Sequence, residues 1–301
     1  MRRRIFLFLI AIFAFCGASR AGAEPLLNVE IVLSEDSVAY RQFASLLQSN
    51  ADGRFSFSVS NTLSTGRSNT PDISIALGLK ALEFLQNRKE PVIAALVSSN
   101  DFAAVNASSG QSPRAAVYID QPKSRQLYFL RALQPKISRV GVIYSQQSVT
   151  ELAQLRLAAA EQNLVIEANF VSSPQDIFIS IESVIHRADL LLALPDSSIY
   201  NASNVRSILL TTYRDDIPLI GLSQAYVNAG ALAAIFSSPE QMSEDVIGIV
   251  RKFSQSGVLP AAQHPASFNI AINSQVASSM SLSLPSPVEI RRRMQVMERS
   301  R

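Results

Sequence analysis

The sequence predicts an α/β protein made of two doubly wound, parallel-sheet lobes. Three observations carry the prediction. RVGVIYS (139–145), ADLLLALPDSS (188–198) and IPLIGLS (217–223) are too continuously β-branched and leucine-rich for half-exposed antiparallel strands. Amphipathic stretches alternate with such runs, bounded by Pro, Asn, Ser or Asp. Once an N-terminal leader of 23 residues is set aside, the 278 that remain suit two domains of modest size.

The leader is read from Arg2 to Arg4, the apolar run Ile5 to Phe15 and the small-x-small sequence Ala21-Gly22-Ala23, the order of a secretory signal cleaved after Ala23. Its apolar run is roughly half of the ~20 residues that span a bilayer. Phe15 stands before Cys16 where a lipid-attachment motif needs a small residue, which argues against a lipoprotein. Cys16 is the single cysteine, so its loss with the leader excludes disulfides, thiolate metal sites and cysteine nucleophiles. Four of the 27 basic residues also leave, and 23 against 24 acidic residues imply no nucleic-acid surface.

The first lobe is expected over 24–121, completed by 229–262. NVEIVLS (28–34) reads as a strand, VAYRQFASLLQ (38–48) as a helix, and the period-two FSFSVS (55–60) as a half-exposed edge strand. Asn61 to Pro71 reads as a short loop. ISIALG (73–78), LKALEFLQN (79–87), PVIAALVS (91–98) and AAVYID (115–120) continue as strand, helix, strand and strand, with a polar loop from Ser99 to Pro113. The second lobe is expected over 122–228, completed by 263–285. Its order is a helix at 124–133, strand 139–145, helix 150–162, strand 165–171, helix 177–186, strand 189–194, helix 204–213 and strand 217–223. Ser238-Pro239-Glu240-Gln241 fits a capped helix start, with Ser at N-cap, Pro at N1 and Gln at N3. FNIAIN (268–273) reads as a strand. The basic tail 286–301, with Arg291 to Arg293, reads as a solvated terminal helix, contact with anionic lipid being the lesser alternative.

No phosphate-loop, dinucleotide, nucleophile-elbow, zincin or EF-hand pattern occurs, and neither a cofactor nor a metal is expected. The two histidines read as a helix-end residue, His186, and a loop residue, His264. In open parallel sheets ligands bind beyond the carboxyl ends of the strands. The candidate ligand-binding residues are therefore Ser34, Ser98, Ser99, Tyr144, Ser145, Asp196, Ser197, Ser223 and Tyr226. Asp196 could meet a ligand ammonium or cap the next helix, and each serine could be a turn or cap. Tyr144 and Tyr226 could stack on a ligand or pack between lobes.

DQPKSRQLYFLRALQPKISRVGVIYS (120–145) and ADLLLALPDSSIYNASNVRSILLTTYRDDIPLIGLSQAYVNAGALAAI (188–235) resemble the substrate-binding proteins of ABC transporters with a type I periplasmic-binding fold, in the branch for tryptophan or tyrosine uptake, here with a shortened first lobe. The resemblance covers roughly half of the chain without its leader. It implies two lobes joined by crossings near Asp120 to Ser124, Ser223 to Asn228 and Leu259 to Pro265. It also implies closure on a small organic ligand, possibly an amino acid, delivery to an ABC permease, a periplasmic location and no enzyme activity. Tyr144, Asp196 and Ser223 match the cleft side of its second lobe. The alternative is a binding-like pair of lobes serving as an accessory or interaction module of an envelope or sensory system. An exported enzyme ranks third, since the sequence offers no catalytic constellation.

Overall fold

A computed structural model describes residues 26–62, 70–108 and 114–299. The leader, most of the loop 61–71 and the end of the segment 99–113 lie outside these residues.

The first lobe contains a parallel sheet with the order β2-β1-β3-β4-β5. Its strands are β1 (Leu27–Leu33), β2 (Phe55–Asn61), β3 (Ile73–Leu77), β4 (Val92–Val97) and β5 (Arg114–Tyr118). β3 is buried at every position, whereas β2 buries only Phe55, as its period-two sequence and edge place require. Helices α1 (Val38–Asn50) and α9 (Pro239–Ser256) cover one face around Phe43, Leu47, Val246 and Val250. Helices α2 (Leu79–Phe84) and α3 (Ser99–Ser108) cover the other around Leu82, Leu85, Phe102 and Val105.

The presence of α3 corrects the expected polar loop at Ser99. Its start is fixed by exchange between Ser98 and Asp101: the Asp101 N–H donates to Ser98 Oγ (3.0 Å) and the Ser98 hydroxyl donates to Asp101 Oδ2 (2.8 Å). Phe102 and Val105, three apart, then anchor one face on the sheet.

The second lobe holds a six-stranded sheet with the order β11-β10-β9-β8-β6-β7. These are β6 (Arg139–Tyr144), β7 (Val165–Phe170), β8 (Leu190–Leu192), β9 (Leu219–Gly221), β10 (Ala233–Phe236) and β11 (Asn269–Ile272). All neighbours run parallel except β11, which lies antiparallel to β10 at the edge. Helices α4 (Lys123–Leu133), α5 (Val149–Ala160), α10 (Ser274–Ser279) and α11 (Pro287–Arg299) pack on one face. Helices α6 (Ile177–Ile185) and α7 (Val205–Arg214) pack on the other. Ala116 to Tyr118 and Val140 to Ile143, expected in strands of different lobes, lie in different sheets, with Tyr118 half-buried at the end of β5.

The C-terminal third divides differently from the expected boundaries. Residues 233–236 form β10 of the second sheet, so they do not complete the first lobe; α9, with Leu259 and Ala262 after it, does. The second crossing accordingly runs through Ser237 and Ser238, not Ser223 to Asn228, which contains α8 (Gln224–Ala229). The first and third crossings fall where expected, and Gln263 pairs with Val117 beside β5. The basic tail is also more than a solvated helix. In α11, Ile290 (0% exposed) and Met294 (1%) bury one stripe against α4, while half-buried Arg291 and Arg293 donate to the Phe268 and Ala132 carbonyls and Arg292 stays exposed.

Gly141 shows how closely α6 lies on β6. A Cβ there would stand 2.7 Å from Val184 Cγ1, 2.9 Å from Ala188 Cβ and 3.1 Å from the Leu190 carbonyl. Gly141→Ala should therefore cost about 1–3 kcal/mol through overpacking, read as a lower urea midpoint with an unchanged slope.

Candidate ligand-binding cleft

Between the lobes lies a cavity of about 450 Å³. The carboxyl ends of parallel strands from both sheets open on it: Leu96 of β4 and Ile119 after β5 from the first lobe, with Leu192, Ile220, Ile235 and Phe236 from the second. Helix residues complete the walls, among them Gln126 and Phe129 of α4, Gln224 of α8 and Met242 of α9. The volume and the mostly apolar lining with a few polar groups are those of a small-molecule site.

Leu96 has φ +59°, where β4 shifts register against β5 between Ala95 and Val97. A non-glycine residue in the left-handed region is strained, and such strain collects at ligand clamps. The irregularity sits on the first-lobe wall of the cavity.

Of the nine residues selected from sequence, Ser223 lines this cavity. It occupies the N-cap of α8 without using its side chain as a cap. Ser34 is buried and accepts from the Ala81 N–H (2.9 Å), serving the turn into α2. That turn needs Gly78 at φ +87°, since a Cβ would meet Tyr40 Oη at 2.4 Å and Ser34 Oγ at 2.6 Å. Ser98 starts α3 as described. Tyr144 packs its ring edge-on against Phe170, 5.4 Å between centroids. The Tyr226 hydroxyl donates to the Tyr200 carbonyl (3.1 Å), and Ser197 Oγ donates to Gln147 Oε1 (3.1 Å).

Ser145 and Asp196 form one buried knot at the ends of β6 and β8. Asp196 is 3% exposed. Its Oδ2 accepts from the Ser145 N–H (3.1 Å), Ser145 Oγ (2.7 Å) and Ser148 Oγ (2.6 Å). Its Oδ1 accepts from the Ser198 N–H (3.1 Å) and Ser198 Oγ (2.6 Å). Burial pushes the Asp196 carboxyl up, but the hydrogen bonds from Ser148, Ser198 and Ser145 outweigh it and hold the pKa below the ordinary value. With both oxygens occupied, Asp196 organises the strand ends, and the ammonium-binding alternative finds no free oxygen.

A second buried cluster, of which the candidates from sequence include Ser99, sits at the first crossing. Asp120 accepts from the Ser99 N–H (2.7 Å, Oδ1) and the Ser99 hydroxyl (2.9 Å, Oδ2), tying α3 of the first lobe to the crossing. The first residue of α4, Lys123, pairs with Glu151 of α5 and lies 3.8 Å from Asp120 Oδ2. Burial raises the Glu151 pKa, partly offset by Lys123. His264, expected only as a loop residue, reaches the Asp120 carbonyl through Nδ1 (3.0 Å) and stacks edge-on with Tyr118. The first and third crossings are thus bound to each other at Asp120. Among the described residues, no group of three His, Cys, Asp or Glu side chains forms a metal site, and no helix is long and apolar enough to cross a membrane.

Solved structures share this architecture. A substrate binding protein with adhesive properties from Clostridium difficile, in a ligand-free open form, aligns with TM-score 0.68 and 16% identity over 86% of this chain and 96% of that one. An ABC domain from Streptococcus pneumonia in complex with L-Trp aligns with TM-score 0.61 and 16% identity, again over 86% and 96%. A conserved domain protein from Vibrio cholerae aligns with TM-score 0.62 and 15% identity over 87% and 96%. At these identities the likeness establishes the two-lobed fold. No curated protein sequence matches the chain. The family model described as ABC transporter substrate binding protein matches residues 117–283, more than half of the chain, and the chain belongs to that family.

Proposed function

We propose that this protein works in the periplasm, captures a small organic molecule in the inter-lobe cavity and delivers it to an ABC permease of the inner membrane. The observation that carries the reading is the cavity itself: an apolar space of about 450 Å³ at the carboxyl ends of strands from both sheets, beside the crossings. Lobes joined by crossings can close on a ligand by hinge motion, excluding water from apolar walls while a few polar groups orient it. Capture and release need no covalent chemistry, and the reading assigns no enzyme activity. The leader read from the sequence supports the periplasmic location, and membership of the family supports the permease as partner.

Ser223 is the candidate from the sequence that this reading retains as a ligand contact, joined by Gln126, Phe129 and Met242. The remaining candidates support the loops that frame the cleft. The test is a thermal-shift screen of amino acids, other small acids, sugars and neutral organic molecules. A true ligand at 100 times its dissociation constant should add about 2.7 kcal/mol of stability. Ile119→Trp, which places a large side chain at the half-exposed cavity mouth, should abolish that gain. An undiminished gain in Ile119→Trp would place binding elsewhere.

A further inference from the structure

Gln126 is 6% exposed and lines the cavity, yet its Oε1 is buried with no hydrogen-bond partner. Leaving a buried amide oxygen unpaired costs on the order of 1–3 kcal/mol, so native structures seldom do it without a reason. The last torsion of a glutamine is broad and two-fold, so rotation about it can turn the amide oxygen or nitrogen toward a molecule in the cavity. Ser223 supplies a second polar group on the lining, a hydroxyl that caps nothing. Around them Phe129, Leu192, Ile220 and Met242 are apolar.

The ionisable side chain on this lining, Asp120, is already held by Ser99 and Lys123. A charged ligand group buried here would need an opposite charge to offset its desolvation, whereas an amide meets a neutral hydroxyl or amide at no such cost.

We infer that the cleft takes a neutral ligand with an apolar body and one hydroxyl- or amide-type group, and that Gln126 is the specificity-determining residue that pairs with that group. The inference rests on the cavity being the binding site.

Two bicyclic probes of nearly equal shape, 2-naphthol and 2-fluoronaphthalene, separate the polar contact from apolar packing in calorimetric titrations. The protein should prefer 2-naphthol by about tenfold or more, the size of one well-placed hydrogen bond in a buried site. Gln126→Leu should erase the preference while still binding both probes. Gln126→Met replaces it if the leucine variant does not fold. Equal affinity of the two probes, a preference that survives in the variant, or binding of neither probe overturns the inference. Ile119→Trp keeps the two levels apart. Probes lost in Ile119→Trp but undiscriminated by the unmodified protein overturn only the role of Gln126. Probes bound undiminished by Ile119→Trp overturn the cleft assignment as well.

Discussion

Lys123→Met is expected to lower the unfolding free energy by about 3–5 kcal/mol, the cost of stranding a buried charge without its partner. The side chains of Lys123, Glu151 and Asp120 are 7%, 2% and 0% exposed, so removing the ammonium leaves two carboxylates facing each other out of water. A buried pair replaced by apolar groups of similar volume can be neutral or even stabilising. Lys123→Met combined with Glu151→Leu should therefore recover a large part of the loss, and a double-mutant cycle in urea measures the coupling. A single-variant loss below about 1 kcal/mol would give Lys123 the small weight of a surface ion pair. The position of the cluster adds a functional consequence. Asp120 ties Ser99 of the first lobe to the crossing that begins the second, so partial loosening should alter how readily the lobes close on a ligand.

The strands were legible because burial on both faces removes period-two alternation and leaves continuous apolar runs. RVGVIY and ISIAL form β6 and β3 as read, and FSFSVS lies at an edge as its alternation requires. What the sequence concealed depends on tertiary packing. SNDFAAVNAS carries only Phe102 and Val105 as anchors, too few for a helical period, although the Ser98-Asp101 cap was visible as residue types. The tail signalled its packing through Ile290 and Met294, four apart, but its arginines dominated the composition. The exchange of lobes at Ser237 has no local signature, since β10 and α9 would read the same in either lobe.

The proposed site was legible at the same level. The strand-end rule leads to the inter-lobe cavity, and Ser223 lines that cavity. Small polar residues at strand ends nevertheless serve the backbone first, because every turn into a helix exposes N–H groups that Ser34, Ser98 and Ser145 can satisfy. Gln126, which lines the same cavity, lies within α4, where the strand-end rule does not look. The usable signal was a helix buried nearly all round, with Leu127, Phe129, Leu130 and Leu133, that still carries a glutamine.

Asp196→Ala is expected to cost about 3–5 kcal/mol, because it strands several donors of Ser145, Ser148 and Ser198 that now converge on one buried carboxylate. Asp196→Asn should cost less, since one oxygen remains to accept while the new amide NH₂ opposes part of the donor set. The pH dependence identifies the origin of the loss. The folded state holds the Asp196 pKa below its unfolded value. Its contribution is therefore present above the unfolded pKa and lost as pH falls through the lowered folded value. Unfolding free energies of the native protein should decline across that acidic window, and Asp196→Asn should flatten the decline. Ligand affinity supplies the complementary reading: with both carboxylate oxygens already taken, a folded Asp196→Asn variant should bind a cleft ligand within a small factor of the native affinity. A loss of 2–5 kcal/mol in binding, the scale for breaking a buried charge pair, would instead make Asp196 a direct partner of a cationic ligand.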